Sequence, residues 1–395
     1  MKKVCRVMET LRIAFFCWES LYSVRVGGLA MASTNLAERL VKEGHEVHFF
    51  TPGLPTQKKI AEKKGVFYHR CHPSGPNIIE YSKDMSLQMV DDYLKEESNG
   101  KFDVLHFHDW HPTEALHLLQ NRPTVLTLHS TEYGRNGNEF GGWWEFKEIS
   151  GKEWYAAFIC KRITTISQSL RDEAMWLYNI PEWKIQVIPN GIDPEKFDVD
   201  IDADEVKKEY GVNPPEPIVF YMGRLVYQKG PDLLIDAVPK VLEHQSNAKF
   251  LFAGDGDMRM HLDGKARDFG DSVRFLGYLP DMEFVRVLKS VDLVVIPSRN
   301  EPFGLVLLEA WSAKKGVVAT EVGGLAENIN NFVDGVKVNV SSDSIAWGVN
   351  YCLNDPVFMK DMGIMGRKKL DKFRWESIAK EMVEVYRSLS EPSRK

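Results

Sequence analysis
Cysteine is scarce and unpatterned in this chain of 395 residues. Cys5, Cys17, Cys71, Cys160 and Cys352 are odd in number and show no CxxC spacing. That argues against a disulfide or zinc framework and suits thiols used as core filler in a reducing compartment, so a cytoplasmic location is expected. Long apolar runs are also missing. No stretch approaches the roughly 18 uninterrupted apolar residues of a membrane span, and Met1-Lys-Lys-Val-Cys-Arg6 lacks the apolar core of a signal peptide. A peripheral membrane contact stays open. Basic excess is absent too: the net charge is −6, so no general surface for nucleic acid exists. Any phosphate must be met by local Arg and Lys side chains and by helix N-termini. The dinucleotide fingerprint GxGxxG does not occur, which removes the expected signature of a nicotinamide oxidoreductase.

What the chain does contain is a repeated alternation of apolar runs and amphipathic stretches. Hydrophobic residues make up 44% and charged residues 27%, ordinary for a globular protein of two or three domains. Arg12–Trp18 reads as a strand covered on both faces. Gly27-Gly28 then opens a helix that runs to Lys42, and Gly44–Thr51 is the next strand. Two glycines at a helix entry admit a phosphate closely or serve a tight turn, and both readings stand. Residues 54–100 read as an irregular excursion with a helix near Leu87–Leu94. Phe102–His108 and Pro123–His129 are further strands. Strand ends carry ligands in parallel sheets, which makes His129 a candidate. His106, His108, His111, His117 and His129 invite a metal reading, but HExxH spacing is lacking and no metal is assigned to them. The Gly- and aromatic-rich segment 136–150 suits sugar stacking or a loop tucked onto the core. Trp143 in this segment, Tyr133 just before it and Glu19 after the first strand are candidate acceptor contacts.

Pro189-Asn-Gly-Ile-Asp-Pro194, an acidic stretch and Pro214-Pro-Glu-Pro217 mark a linker, giving units 1–194 and 195–374. The second half restarts the alternation. Ile218–Met222 is a strand ended by Gly223-Arg224, and Lys229-Gly230 precedes a helix with Pro231 at a favoured early position. Arg224 and Lys229 flank one strand-end loop, as a diphosphate clamp or as plain surface charges. Strands Lys249–Ala253 and Val273–Gly277 are followed by Gly254 and Tyr278. Asp292–Ile296 leads into Pro297-Ser-Arg-Asn-Glu-Pro-Phe-Gly-Leu-Val-Leu-Leu-Glu-Ala310. There a strand stops, a loop holds Pro302 and Gly304, and a helix begins: a place where backbone N–H groups meet an anion. Glu301 is expected at the mouth and Glu309 about two turns deeper on roughly the same face. Such carboxylates suit the hydroxyls of a polyol, or are an ordinary first-turn acid and a solvated one. The expected fold class is α/β, two Rossmann-like doubly wound domains facing across a cleft lined by strand ends.

Gly223-Arg224…Lys229-Gly230, Ala253-Gly-Asp-Gly256, Ser298…Glu301-Pro-Phe-Gly-Leu…Glu309-Ala310 and Gly323-Gly324…Glu327 together resemble the retaining GT-B glycosyltransferases of family four. Val26-Gly-Gly-Leu29, His129 and Pro189–Asp193 agree in order. His106-Phe-His-Asp-Trp-His111 is also similar to glycogen and starch synthases. The resemblance implies a retaining hexosyltransferase using UDP- or ADP-glucose on a sugar or α-glucan, with mannosyl transfer to a lipid or small molecule, or binding without turnover, as alternatives. It implies no cofactor and no divalent metal, and no DxD motif is expected to hold one. It implies that Arg224 and Lys229 neutralise the diphosphate, while Gly27, Gly28, Phe303, Gly304 and Leu305 cradle it. Glu301 would meet the sugar and Glu309 the ribose. Gly254 and Tyr278 would pass the base, and His129 would contact the sugar near the reacting carbon. A final helix from Trp375 would cross back to the first domain. One departure stands out: Lys314-Lys-Gly316-Val317 replaces the usual Gly-x-Pro-Val, which puts donor preference in question.

Overall fold
The computed structural model describes residues 10–389; Cys5, the segment Met1–Arg6 and the end of the last expected helix lie outside them. The first lobe has strands β1 (Arg12–Phe16), β2 (Glu46–Pro52), β3 (Ile60–Lys63), β4 (Val66–Cys71), β5 (Val104–His108), β6 (Thr124–Leu128), β7 (Arg162–Thr165) and β8 (Ile185–Val187). Its helices are α1 (Gly28–Lys42), α2 (Ile78–Glu97), α3 (Thr113–Leu119), α4 (Glu132–Arg135), α5 (Trp144–Ile159) and α6 (Gln168–Tyr178). The second lobe has strands β9 (Ile218–Met222), β10 (Lys249–Ala253), β11 (Val273–Gly277), β12 (Leu293–Ile296), β13 (Gly316–Thr320) and β14 (Val336–Val338). Its helices are α7 (Ala203–Glu209), α8 (Pro231–Leu242), α9 (Arg259–Ala266), α10 (Asp281–Ser290), α11 (Leu305–Ser312), α12 (Gly323–Asn328), α13 (Ser342–Leu353) and α14 (Pro356–Lys368). Helix α15 (Trp375–Ser388) ends the described chain.

Each lobe is built on one sheet. The first has order β3-β4-β2-β1-β5-β6-β7-β8, the second β11-β10-β9-β12-β13-β14. Every pairing is parallel except β3 with β4. The strand order reverses between β1 and β5 in one lobe and between β9 and β12 in the other. Crevices form at such reversals, outside the carboxyl ends of the strands. The central strands are apolar because helices cover both faces: Phe16 stacks between Phe50 and Phe107, at 5.1 and 4.6 Å between ring centroids.

The excursion expected over residues 54–100 is ordered structure: the β3–β4 hairpin followed by the long helix α2. Lys64 and Gly65 turn the hairpin with φ of 49° and 82°, the left-handed pair a two-residue hairpin needs.

Two chain crossings join the lobes. At the first, Gly191 lies so close to Trp375 that an added Cβ would overlap the indole at 2.3 Å. Beside it, the Ile192 N–H donates to the Phe373 carbonyl at 2.7 Å. Helix α15 then packs on α1 and buries Trp375, Ile378, Met382, Val383 and Tyr386 in the first lobe's core. Those side chains contribute on the order of 10 kcal/mol of gross apolar burial, before ordering entropy is subtracted.

Candidate functional site
The cleft is organised by two helix N-termini. Helix α1 begins after Gly27 and α11 after Gly304; neither has a side-chain cap or an acidic residue in its first turn. Ser, Asn or Asp side chains cap α2, α6, α7, α13 and α14, while α9 and α12 share the uncapped, acid-free start, so it is the convergence of the two ends that marks the cleft. Among the described residues, no backbone carbonyl accepts the N–H of Phe303, Gly304 or Leu305. Gly304 turns the chain into α11 at φ 95°. A Cβ on Gly28 would stand 3.2 Å from Leu305 Cδ1, so the two uncapped ends nearly touch across the lobes. Unpaired N–H groups and two converging helix dipoles favour an anion there.

The cationic side chains approach from the second lobe. Arg224 follows β9, is exposed, and makes no salt bridge among the described residues. Its carbonyl accepts the Tyr221 hydroxyl at 2.6 Å. Lys229 Nζ lies 2.7 Å from Glu301 Oε2. The loop carrying Lys229 is fastened to the one after β12. Arg299 makes a two-pronged bond to Asp232 at 2.8 and 2.6 Å, and its N–H donates to the Gln228 carbonyl. Gly230 sits at φ 61°, where a Cβ would strike the Pro297 carbonyl at 2.1 Å. Gly254, at φ 127°, likewise lets the β10 loop lie against the Gly223 carbonyl.

Glu301 is buried on the extended segment before α11, not on the helix face of Glu309, because the helix starts only at Leu305. This corrects the expected shared face. Glu309 lines a cavity of about 340 Å³ between the lobes, with Arg25, Asp193, Lys196, Asp281 and Leu305 among its walls. Burial pushes its carboxyl up to about 7; Lys196 and Arg25 oppose the shift and Asp281 adds to it. Tyr278 is exposed, with Arg25 over its ring at 5.6 Å.

From the first lobe, His129 directly follows β6. Its Nε2 is 3.1 Å from His108 Nδ1, and its N–H donates to Asp109 Oδ1 at 2.7 Å. Burial pushes the imidazole down to about 3, so it is neutral near pH 7. Asp109 was a bystander in the sequence. It is buried at φ 56°, with a carboxyl raised to about 6 by burial, against the pull of Arg135 and the N–H groups of His129 and Ser130. A buried non-glycine residue in left-handed backbone right after a strand is the structural signal the sequence could not give. His106 is bonded elsewhere, to Tyr386 Oη at 2.7 Å and Thr127 Oγ1 at 2.6 Å. His117 faces Tyr155.

Of the three acceptor candidates, Tyr133 and Trp143 join one aromatic cluster through Phe140 and Phe146, while Glu19 is bonded at the glycine loop. Glu19 Oε2 accepts the N–H groups of Val26 and Gly27 at 2.7 and 2.8 Å, so this carboxylate shapes the glycine loop. Its pKa is raised, mainly by burial. Tyr133 packs on Phe140 and Trp176, and Trp143 meets Phe146 edge-on at the start of α5. The lobes also touch at Asn300 Nδ2, which donates to Asn138 Oδ1 at 2.7 Å, and where the Gln168 N–H donates to the Glu327 carboxylate at 3.1 Å. DxD spacing does occur, correcting the expectation that it would not: Asp255 and Asp257 follow β10, both exposed, with Asp255 Oδ1 taking the Gly256 N–H of its own turn.

The unusual Lys314 adopts φ 57° in the turn after α11. Glycine is the usual residue in such a helix-ending turn. The turn leads into the amino-terminal end of β13 and thus faces away from the cleft, which forms at the carboxyl ends of the strands.

Two facing doubly wound lobes with an anion-seeking cleft are the architecture of a GT-B glycosyltransferase. Residues 26–196 match the family model described as Glycosyltransferase Family 4, and residues 202–369 match Glycosyl transferases group 1. An uncharacterised glycosyltransferase of Methanocaldococcus jannaschii is 39% identical over 95% of this chain and 98% of its own. A glycogen synthase of Mycobacterium tuberculosis is 28% identical over 95% and 94%. The sucrose-phosphate synthase of Thermosynechococcus elongatus superposes with a TM-score of 0.81 at 23% identity, covering 96% of this chain and 99% of that one. The chain belongs to glycosyltransferase family four.

Proposed function
We propose that this protein is a retaining, metal-independent hexosyltransferase that moves glucose from UDP- or ADP-glucose to a sugar or α-glucan. The observation that carries the reading is the meeting of two uncapped helix N-termini beside Arg224 and the Lys229–Glu301 pair. A nucleotide sugar has the complementary shape: a diphosphate for the N–H groups and cations, a ribose for Glu309, and a hexose for Glu301 and His129. The segments at Gly254 and Tyr278 flank the base. The 28% identical relative is named a glycogen synthase, which favours glucose and a glucan acceptor.

In the proposed step the bond from the anomeric carbon to the diphosphate oxygen breaks as the acceptor oxygen bonds to the same face of that carbon. The acceptor proton passes to the departing phosphate, whose charge Arg224, Lys229 and the helix ends stabilise. Neutral His129 supplies a hydrogen bond to the sugar and holds no charge for acid catalysis.

The test is a panel of UDP-, ADP- and GDP-sugars against glycogen, maltose and phosphosugars, with and without chelator, with the product anomer read by NMR. Glucosyl transfer that keeps the anomer and survives chelation is expected. Consumption of GDP-mannose alone would refute the glucose assignment. Turnover undiminished in His129→Ala and Glu301→Gln would refute the site.

A further inference from the structure
A second group of potential ligands lies toward the amino-terminal ends of the first lobe's strands, away from the cleft. His48 near the start of β2 and His69 on β4 are both buried. His48 Nδ1 and His69 Nε2 are 2.9 Å apart. Glu96, in the last turn of α2, brings Oε1 to 3.9 Å from His48 Nδ1. One ligand atom from each of the three falls within 4.8 Å of the others. We infer that His48, His69 and Glu96 form a site for a divalent transition-metal ion such as zinc, separate from the transfer chemistry.

Two imidazoles and one carboxylate are a ligand set zinc accepts, with room for water in the remaining position. His48 already has the support a metal-bound imidazole uses. Its Nε2 lies 2.8 Å from Glu46 Oε1, so the proton belongs on Nε2 and the Nδ1 lone pair points inward. Burial lowers the pKa of His48, and takes that of His69 down to about 4, with His48 and Arg12 adding to the second shift. With the His48 proton on Nε2, His69 Nε2 donates in the 2.9 Å contact, so an ion binds with the His69 proton moved to Nδ1. Two nitrogens on tetrahedral zinc at about 2.0–2.1 Å stand about 3.3–3.4 Å apart, so the pair must open by roughly 0.4 Å.

Arg12 is the competitor. Its Nη2 holds Glu96 Oε1 at 2.6 Å and its Nε holds Glu46 Oε1 at 2.6 Å, while Nη1 donates to the Gly100 carbonyl. Two carboxylates against one guanidinium leave the site with net negative charge. An ion takes over Glu96, and Arg12 keeps Glu46 and the carbonyl. The Glu46 side chain is 43% exposed, which gives the ion a way in. A bound ion would tie β2, β4 and the end of α2 together.

The test is a chelator-stripped full-length chain titrated with zinc against a chromophoric chelator, with cobalt absorption as the coordination signature. We expect one bound equivalent that disappears in His48→Gln/His69→Gln. Glu46→Gln, which keeps both rings, should weaken it about 10–100-fold. Glucosyl transfer should be unchanged in each variant, so a failed donor assignment leaves this result readable. No competing equivalent in the natural chain, or one undiminished in the double variant, overturns the site. Should the double variant misfold by circular dichroism, undiminished affinity in both Glu46→Gln and Glu96→Gln overturns it.

Discussion

Replacing Lys229 by methionine breaks two relationships at once. Nζ stands 2.7 Å from Glu301 Oε2, and the only other side-chain partner of that carboxylate among the described residues is Ser298 Oγ at 3.4 Å. The two side chains are 22% and 10% exposed. That places the pair between surface bridges worth under about 1 kcal/mol and buried ones whose breaking costs about 3–5 kcal/mol, so roughly 2 kcal/mol follows from orphaning Glu301. In the proposed transfer, loss of a cation facing the departing diphosphate adds about 3–4 kcal/mol of barrier, the size seen when an oxyanion donor is removed. A double-mutant cycle separates the two. Glu301→Gln removes the charge Lys229 balances while keeping its shape. If Lys229 also faces the diphosphate, Lys229→Met in the Glu301→Gln background still lowers kcat/KM about 100- to 1000-fold. Coupled detection of released nucleoside diphosphate measures this. A decrease of less than about threefold in that background refutes the diphosphate role and, with it, the proposed donor orientation.

Three further outcomes are expected. Glu309 titrates near 7 when folded and has an ordinary value of 4.5. The folded chain therefore holds the extra proton between those values, and folding stability falls as pH rises through that window. The loss is about 2 kcal/mol after discounting partial exposure, and Glu309→Gln should abolish it in urea melts at pH 4.5 and 8. Gly28→Ala places a methyl 3.2 Å from Leu305 Cδ1 between the helix ends. Donor KM should rise at least about tenfold while thermal stability stays within about 1 kcal/mol; an unchanged KM would remove the diphosphate from that spot. Lys314→Gly relieves left-handed backbone and should raise stability by about 0.5–1 kcal/mol with donor preference unaltered, as read from melts and from competition between UDP- and ADP-glucose. A switched preference would show that this turn does reach the donor.

The sheet centres were legible because parallel strands with both faces covered are apolar throughout, as in Arg12–Phe16 and Ile218–Met222. The hairpin was hidden by its own chemistry. Strand β4 buries His69 and Arg70, polar residues that broke the apolar signal. Helix α7 was lost in an acidic stretch, although Asp202 caps it. In the cleft, residues at strand ends and helix starts could be named from order alone. Asp109, Asn138 and the bracing of Lys229 by Arg299 and Gln228 could not, because each depends on a partner distant in sequence or on a backbone angle. Glu19 shows the converse. A carboxylate in a strand-end loop looks available in sequence, yet its contacts are already taken by Val26 and Gly27.

The paired crossings at Gly191 and Trp375 limit how this molecule can breathe. Side by side, they act like one leaf of a door hinge: the lobes can part about the line joining them, while twisting would shear the Ile192–Phe373 bond. Helix α15 begins at that pivot and in its last turn sets Tyr386 against His106, whose ring lies tilted at 4.2 Å from that of His108, the neighbour of His129. Parting the lobes and positioning the His108–His129 pair therefore share a single axle.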